Sequence, residues 1–347
     1  MKKSLVALAV LGALTGVAHA QVTLYGLVDT GVVIADDGDD RRTGIDSSIA
    51  GASRWGIRGS EDLGGGLKAH FVLESGFSSD SGEGDSVFSR LSYLGLNGGF
   101  GTVRLGRQDT AMKDLLGKID PFGAAGIANA HDYLLSAGIG LDEDGDLVRA
   151  GLDQRRDNQI TYLTPNFGGF NGGVYYNFGE TYGDSTDGQI IGLRVGFDSG
   201  PLSIQLAHEN INVDVNPDLE RDDTVLGATW DFNVAKLHAA YARRSNDGIG
   251  NDARSGMLGV SAPLGRGKVM ANYIRVENRD SGVDEADSNV IALGYNYNLS
   301  KRTALIARYV RTDNDTGADL AIADGDYSVA RPGENANVIG LGVQHKF

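Results

Sequence analysis

The chain contains no cysteine, so it can hold neither a disulfide framework nor a thiolate metal site. Proline is scarce, at 6 of 347 residues, whereas glycine is abundant, at 51. So much glycine with so few strong helix signals argues against a helical protein. Basic residues are also in deficit, with 31 Lys and Arg against 46 Asp and Glu and a net charge of −15. This deficit disfavours nucleic-acid binding, because phosphate backbones reward Lys and Arg.

Long apolar runs are missing as well. Beyond residue 20 no run of about eighteen apolar residues occurs, which argues against a transmembrane helix. The N-terminus has a short one: Lys2 and Lys3 precede an apolar stretch over 5–17, and the small-residue sequence AHA follows. A membrane anchor would be longer and would carry a stop-transfer flank. We therefore predict a signal peptide over 1–20, cleaved after Ala20, and an exported protein.

Turn signals recur regularly along the remaining chain. Short connections rich in Gly, Pro or Asn lie roughly 32 to 35 residues apart, with one longer interval. Longer connections loaded with Asp and Glu alternate with them, so each interval is predicted to hold a strand, a long polar loop and a second strand. The short connections lie at 61–67, 97–102, 164–171, 198–203, 231–236, 262–268 and 298–303.

Seven short turns and eight long connections join sixteen strands and leave both chain ends on the short-turn side. An even strand number, with short turns at one rim and long loops at the other, is typical of an outer-membrane barrel. In the segment 289–299, Ile291 and Leu293 share one face while Ala292 and Gly294 share the other. An apolar outside and a polar inside suit lipid around a watery lumen. The sequence therefore predicts an all-β protein with a 16-stranded antiparallel transmembrane β-barrel.

Two predicted strands fit the alternation badly. The segment 22–35 is apolar on both faces, and 267–277 alternates only in part. Bulges or a misjudged register would explain both; burial of the first strand against another subunit is a second explanation. Aromatic residues near the short turns are typical of an interfacial girdle. They are Phe100, Phe167, Phe170, Trp230, Phe232, Tyr297 and Phe347.

The longer interval contains the segment GKIDPFGAAGIANAHDYLLSAGIG (117–140). It is too apolar for an exposed loop, too broken by Gly and Pro for a strand, and too irregular for a convincing helix. Connections this long are usually functional or disordered, and the composition is not that of a disordered segment.

Several blocks resemble a known family. They are QVTLYGLVDTGV after the signal peptide, SRWGIRGSEDLGGGLKAHFVLESGF (53–77), SRLSYLGLNGGFGTVRLGRQDT (89–110) and the terminal HKF. Together they are similar to the trimeric general porins of Gram-negative bacteria, in particular the β-proteobacterial and neisserial branch. The resemblance implies a homotrimer among outer-membrane lipid and lipopolysaccharide, which passes ions and small hydrophilic solutes by passive diffusion. It also implies that the barrel-assembly machinery reads the terminal Phe347.

The resemblance implies a place for the odd segment too. In these porins the third long loop folds into the lumen and narrows it, and here that constriction loop would span 110–153 within a barrel domain of 21–347. The sequence DPFG (120–123) is similar to a turn of the family's third loop. Irregular backbone at membrane depth is tolerated where it lines a watery cavity. The apolar residues expected against the inner wall are Leu115, Leu116, Ile119, Phe122, Ile127, Leu134 and Leu135.

Charged residues of the constriction follow from the same resemblance. Arg54, Arg107 and either Arg155 or Arg156 match the wall arginines of the family, Arg58 shares the face of Arg54 by parity, and Arg90 is a further candidate. On the loop, Asp114, Asp120 and Asp132 can face the water. These arginines could instead decorate a solvated surface, but a bare Arg facing lipid at the midplane costs about 2–4 kcal/mol.

Two features complicate this picture. Strand parity groups Arg107 with Val103 and Leu105 unless a bulge intervenes, and Asp29 stands where many relatives have a base. Loop acids favour cations whereas wall arginines favour anions. Because acids dominate the loops, the sequence leads us to expect cation preference, with Asp120 contributing to it.

Other chemistries find little support. The stretch 142–153 places Asp142, Asp144 and Asp146 like an EF-hand loop, but it has Leu147 where Gly is needed and Asp153 where Glu is needed. The histidines form no zinc-protease motif and no nucleophile elbow is present, so we expect no metal, no cofactor and no enzymatic activity. Two alternatives remain open: a substrate-selective channel for an organic acid or sugar, and an adhesin that acts through its loops.

Overall fold

The computed structural model describes most of the chain beyond the predicted signal peptide, which lies outside the described residues. The described ranges are 21–134, 139–141, 147–149, 154–179, 188–212, 220–247, 252–278, 286–323 and 327–347.

The described residues are almost entirely strand. No helix among them is long and apolar enough to cross a membrane. Their helices are α1 (Ala111–Ile119) and α2 (His131–Leu134). The strands are β1 (Gln21–Asp36), β2 (Arg41–Ser47), β3 (Arg54–Gly64), β4 (Leu67–Gly76), β5 (Leu91–Gly98), β6 (Gly101–Asp109), β7 (Ile139–Leu141), β8 (Leu147–Arg149), β9 (Arg155–Leu163), β10 (Phe170–Asn177), β11 (Ile190–Ser199), β12 (Leu202–Asn212), β13 (Glu220–Asp231), β14 (Lys236–Asp247), β15 (Ala253–Leu264), β16 (Gly267–Asn278), β17 (Ser288–Asn298), β18 (Thr303–Asn314) and β19 (Ala336–Lys346).

One antiparallel sheet closes on itself, because β1 pairs with β19 from Leu27↔Lys346 to Asp36↔Asn337. Strand β2 pairs with residues 30–36 of β1, and β3 pairs with residues 21–27 of β1. Strands β2 and β3 are therefore two pieces of one barrel strand. Strands β7 and β8 form a separate hairpin. The barrel therefore has sixteen strands, and the seven short turns fall where the sequence predicted them. The sequence predicts a loop for the acid-rich stretch that follows β1. In the structure part of this stretch forms β2, which pairs with the C-terminal end of β1.

Side chains alternate across the barrel wall as predicted. On β17, Ile291 and Leu293 are open on the outside whereas Ala292 between them is completely buried inside. Most of the predicted girdle aromatics are also exposed on the outer surface near the short turns, with Phe167 the most open at 65%. Lipid is the solvent that suits such an outer surface.

Helix α1 lies inside the barrel. Thr110 caps it by accepting a hydrogen bond from the Lys113 backbone N–H at 3.2 Å, as N-cap threonines do. Its apolar residues recur with helical spacing and are buried against the inner wall. They are Ala111, Met112, Leu115, Leu116 and Ile119.

The inner wall is shaped to receive this segment. A Cβ atom on Gly227 would approach Ile119 to 2.8 Å, and one on Gly294 would approach Phe122 to 2.6 Å, so these sites need glycine. Six of the seven apolar residues predicted to face the wall are buried, and Leu135 lies outside the described residues. The partly apolar inner face of β16 has the same cause, because Met270 and Ile274 join this core.

The inner face of β1 is covered in a similar way. Residues 48–53, between β2 and β3, leave the sheet, and Ile49 becomes fully buried near Gly31 of β1. Its carbonyl accepts a hydrogen bond from the Ile127 backbone N–H at 3.1 Å, which ties it to the inserted segment. Internal packing therefore accounts for the inward apolar residues of β1.

Asp29 holds residues 48–53 in place. Its carboxylate accepts hydrogen bonds from the backbone N–H groups of Ile49 at 2.9 Å and Ala50 at 3.0 Å, and from Gln344 at 2.9 Å. The residue is completely buried, so it does not present a charge to the channel water.

We predict that Asp29→Asn lowers the free energy of unfolding by about 1–3 kcal/mol, because the new amide N–H₂ would face a buried backbone donor. Urea unfolding in detergent micelles, followed by tryptophan fluorescence, measures this. Asp80→Asn on an exposed loop is the control and should leave the midpoint unchanged. An equal midpoint for both variants would contradict the role given to Asp29.

Candidate functional site

A polar cavity of about 620 Å³ lies between the inserted segment and the wall formed by β3 to β6 and β9. Its described lining contains more cations than anions. The basic residues are Arg54, Arg90, Arg107, Lys113 and Arg155, and the acidic residues are Glu74, Asp109 and Asp132. We call this space the central cavity.

Glu74 is the common partner of two arginines on one side of the central cavity. Its Oε1 lies 2.7 Å from Arg90 Nε, and its Oε2 lies 3.4 Å from Arg54 Nε. Tyr25 donates its hydroxyl to the same carboxylate at 2.9 Å. One buried carboxylate thus positions two guanidinium groups and offsets only one of their charges.

Arg155 and Arg107 complete the wall. Arg155 Nε lies 3.0 Å from Asp109 Oδ1, and Arg107 Nη1 lies 2.6 Å from Asp157 Oδ1. Arg107 Nε also donates to the Ser89 carbonyl. Asp157 is largely exposed, so solvent screens its effect on Arg107.

A break in strand regularity turns Arg107 inward. The pairing of β6 with β9 shifts register between Gly106 and Gln108, and Gly106 has a φ of +124°. Strict alternation would have aimed Arg107 outward with Leu105. The bulge that the sequence reasoning required is therefore present, and β-bulges commonly re-aim side chains in this way.

Lys113 is the cation that sequence reasoning missed. It lies on α1, and its ammonium group donates to the Ala124 carbonyl and to Gln154 Oε1. Burial, with the nearby Arg155 charge, lowers the pKa of Lys113 to about 8. The helical spacing of the apolar residues around it was the available signal, because it leaves position 113 off the wall-facing side.

The predicted loop acids are arranged differently from expectation. Asp120 is buried, and its carboxylate accepts hydrogen bonds from the backbone N–H groups of Phe122, Ala124 and Ala130 at 2.8 to 3.0 Å. Burial raises its pKa to about 6. The predicted orientation toward water is wrong for this residue, because its oxygens are used to fold the segment around the DPFG turn.

Asp114 also points away from the central cavity. It accepts a hydrogen bond from the Tyr175 hydroxyl of β10 at 2.6 Å, and burial raises its pKa. Asp132 is the one predicted loop acid that lines the cavity, where it accepts hydrogen bonds from Asn129 at 2.6 Å and Gln154 at 3.3 Å.

Two predicted arginines lie outside the cavity lining. Arg58 shares the face of Arg54 but lies nearer the short turns, with its guanidinium 5.0 Å from the centre of the Tyr25 ring. Arg156 follows Arg155 on β9 and is close enough to interact electrostatically with Glu209 of β12. The alternative between Arg155 and Arg156 therefore resolves to Arg155 for the cavity. The EF-hand-like residues of 142–146 and 153 lie outside the described residues.

A second loop reaches the central cavity. Ala323 and Tyr327, from the connection between β18 and β19, belong to its lining. Tyr327 donates its hydroxyl to Asp46 of β2 at 2.8 Å, and the guanidinium of Arg42 stacks over its ring at 5.4 Å. No sequence motif marked this loop as part of the site.

The arrangement suits electrostatic sorting of small solutes. Low-dielectric walls focus the field of fixed charges into a narrow aqueous space, and rows of charged side chains set ion preference in pores. Five cations against three carboxylates leave the described lining with positive charge.

Comparisons with known proteins agree with this architecture. Residues 7–317 match the model of the Gram-negative porin family. The chain is 40% identical to outer membrane porin protein 32 of Delftia acidovorans over the full length of both, and 28% identical to the major outer membrane protein P.IB of Neisseria meningitidis serogroup B, again over the full length of both. Among solved structures, the anion-selective porin from Comamonas acidovorans aligns with a TM-score of 0.82 and 36% identity, covering 95% of this chain and 100% of that one. This protein belongs to the Gram-negative porin family and forms a passive channel of the outer membrane.

Proposed function

We propose that this porin prefers anions, and that the segment inserted between β6 and β9 sets its narrowest passage. The observation that carries the proposal is the excess of cations around the central cavity, where Lys113 approaches from the loop and Arg54, Arg90, Arg107 and Arg155 approach from the wall. This reverses the cation preference expected from loop composition, since Asp114 and Asp120 are turned away from the cavity. The similar porin of Comamonas acidovorans, described as anion-selective, supports the same choice.

The remaining expectations complete the proposal. The chain would be exported through a signal peptide cleaved after Ala20, assemble as a homotrimer among lipid and lipopolysaccharide, and act without a cofactor or enzymatic activity. Recognition by the barrel-assembly machinery would use Phe347, a residue that is 43% exposed at the end of the last strand. The apolar outer surface of β1, with Leu24 61% exposed, suits either lipid or a neighbouring subunit.

The two alternatives differ in their support. A channel selective for organic acids is a narrower form of the same proposal, because guanidinium groups pair well with carboxylates; it predicts saturable uptake. No specific observation favours an adhesin.

The direct test is reconstitution in a planar bilayer under a KCl gradient. We expect stepwise conductance in groups of three and a reversal potential displaced toward the chloride equilibrium potential. A displacement toward potassium would overturn the anion preference, and single independent steps would overturn the trimer.

Anion preference should also depend on pH through Lys113. Because its pKa is lowered to about 8, this ammonium is largely charged at pH 7 and largely neutral at pH 9. The chloride-to-potassium permeability ratio should therefore fall across that interval. Lys113→Met should start from a lower ratio and remove the pH dependence; a dependence retained in this variant would assign it to another group.

Two acid-to-amide substitutions separate cavity acids from structural acids. Glu74→Gln removes a negative charge from the cavity lining and should raise the chloride-to-potassium ratio. Asp120→Asn should leave the reversal potential unchanged, because its carboxylate is buried within the inserted segment. Reversal potentials under one salt gradient measure both, and the opposite pattern would return Asp120 to the conduction path.

A further inference from the structure

Two arginines between the central cavity and the short-turn rim rest on aromatic rings. The guanidinium of Arg58 lies 5.0 Å from the centre of the Tyr25 ring, and that of Arg104 lies 5.1 Å from the centre of the Tyr93 ring. Within the described ranges, neither arginine forms an ion pair. They differ in this respect from the wall arginines of the cavity, each of which has a carboxylate partner.

Strand pairing places both side chains on the lumen face. Arg58 follows Arg54 by four residues on β3, so the two share a face. Arg104 of β6 lies opposite Gly95 of β5, which lies opposite His70 of β4. His70 shares its face with Glu74, which lines the cavity.

The pair lies on the wall between the central cavity and the short-turn rim. With a rise of about 3.3 Å per strand residue, Arg58 is about 13 Å from Arg54 along β3, and Arg104 is about 10 Å from Arg107 along β6. An ion that leaves the cavity toward this rim passes the wall that carries both groups.

Stacking leaves the charge of these arginines available. The ring quadrupole attracts the face of a guanidinium without cancelling its charge. The N–H edge stays open as a planar fork suited to oxyanions. The Nε of Arg104 is buried and has no hydrogen-bond partner among the described residues, so the protein leaves this donor unsatisfied.

We propose that Arg58 and Arg104, which stack on Tyr25 and Tyr93, form a second anion-binding step between the central cavity and the short-turn rim. This step would suit small carboxylates. The proposal rests on the anion preference proposed above. An anion that loses the field of the cavity arginines would meet two cations that stack on aromatic rings and form no ion pair among the described residues, which shortens the weakly attractive part of its path.

The test compares the double variant Arg58→Gln, Arg104→Gln with a matched control. Arg266→Gln is that control, because Arg266 also stacks on a tyrosine, Tyr297 at 5.9 Å, but lies exposed in the turn between β15 and β16. Each protein is reconstituted in a planar bilayer. Reversal potentials are measured first in a KCl gradient and then with chloride opposed to acetate.

The double variant should lower the chloride-to-potassium permeability ratio about two- to fivefold, the scale of one unit charge at contact distance in water. It should lower the acetate-to-chloride ratio as well, and Arg266→Gln should change neither. Tyr93→Leu, which keeps the cation but removes its platform, should lower the acetate-to-chloride ratio and leave that of chloride to potassium nearly unchanged. Tyr93→Leu also tests the proposed anion-binding step if the double variant fails to fold.

The outcomes separate the two proposals. A wild-type channel that prefers potassium would overturn the anion preference itself. A wild-type channel that prefers chloride, with both ratios unchanged in the folded double variant or an unchanged acetate ratio in Tyr93→Leu, would overturn the second step alone.

Discussion

The burial of an apolar helix inside a water-filled barrel is the constraint on which the rest of the structure depends. Helix α1 and the turn that follows it place Ile119 and Phe122 against an inner wall that offers glycine at Gly227 and Gly294. A larger side chain at either glycine would clash with the segment. The wall and the inserted segment are therefore complementary surfaces of one core, and that fit brings Lys113 and Asp132 to the central cavity.

Carboxylates and cations have different roles as a result. The carboxylates of Asp29 and Asp120 accept hydrogen bonds from backbone N–H groups and hold irregular segments in place. Their charge therefore stays inside the protein, away from the channel water. The cations remain at the water, positioned by ion pairs with Glu74 and Asp109 or by aromatic rings. A protein with a large overall excess of acid can thus have a basic passage, because net charge says little about which groups meet the solute.

The sequence was sufficient for the barrel and insufficient for the cavity. Turn spacing and alternation depend on local backbone chemistry, so strand number and the seven short turns could be predicted. The inward turn of Arg107 depends on a register shift at Gly106, and the burial of Asp120 depends on three backbone donors of its own loop; neither leaves a periodic pattern. The apolar inner faces of β1 and β16 were visible as exceptions to the alternation. These faces are apolar because segments that fill part of the lumen pack against them. Reasoning from one strand at a time could not assign those contacts.

The seam between β1 and β19 has a consequence for barrel assembly. The inserted segment connects two neighbouring strands in the first half of the chain, yet it contacts Ile49 near that seam and the inner walls of β12 to β16. The segment can make both sets of contacts at once only when the sheet is curved into the barrel. Packing of the segment therefore stabilises the curved sheet in which the first strand meets the last.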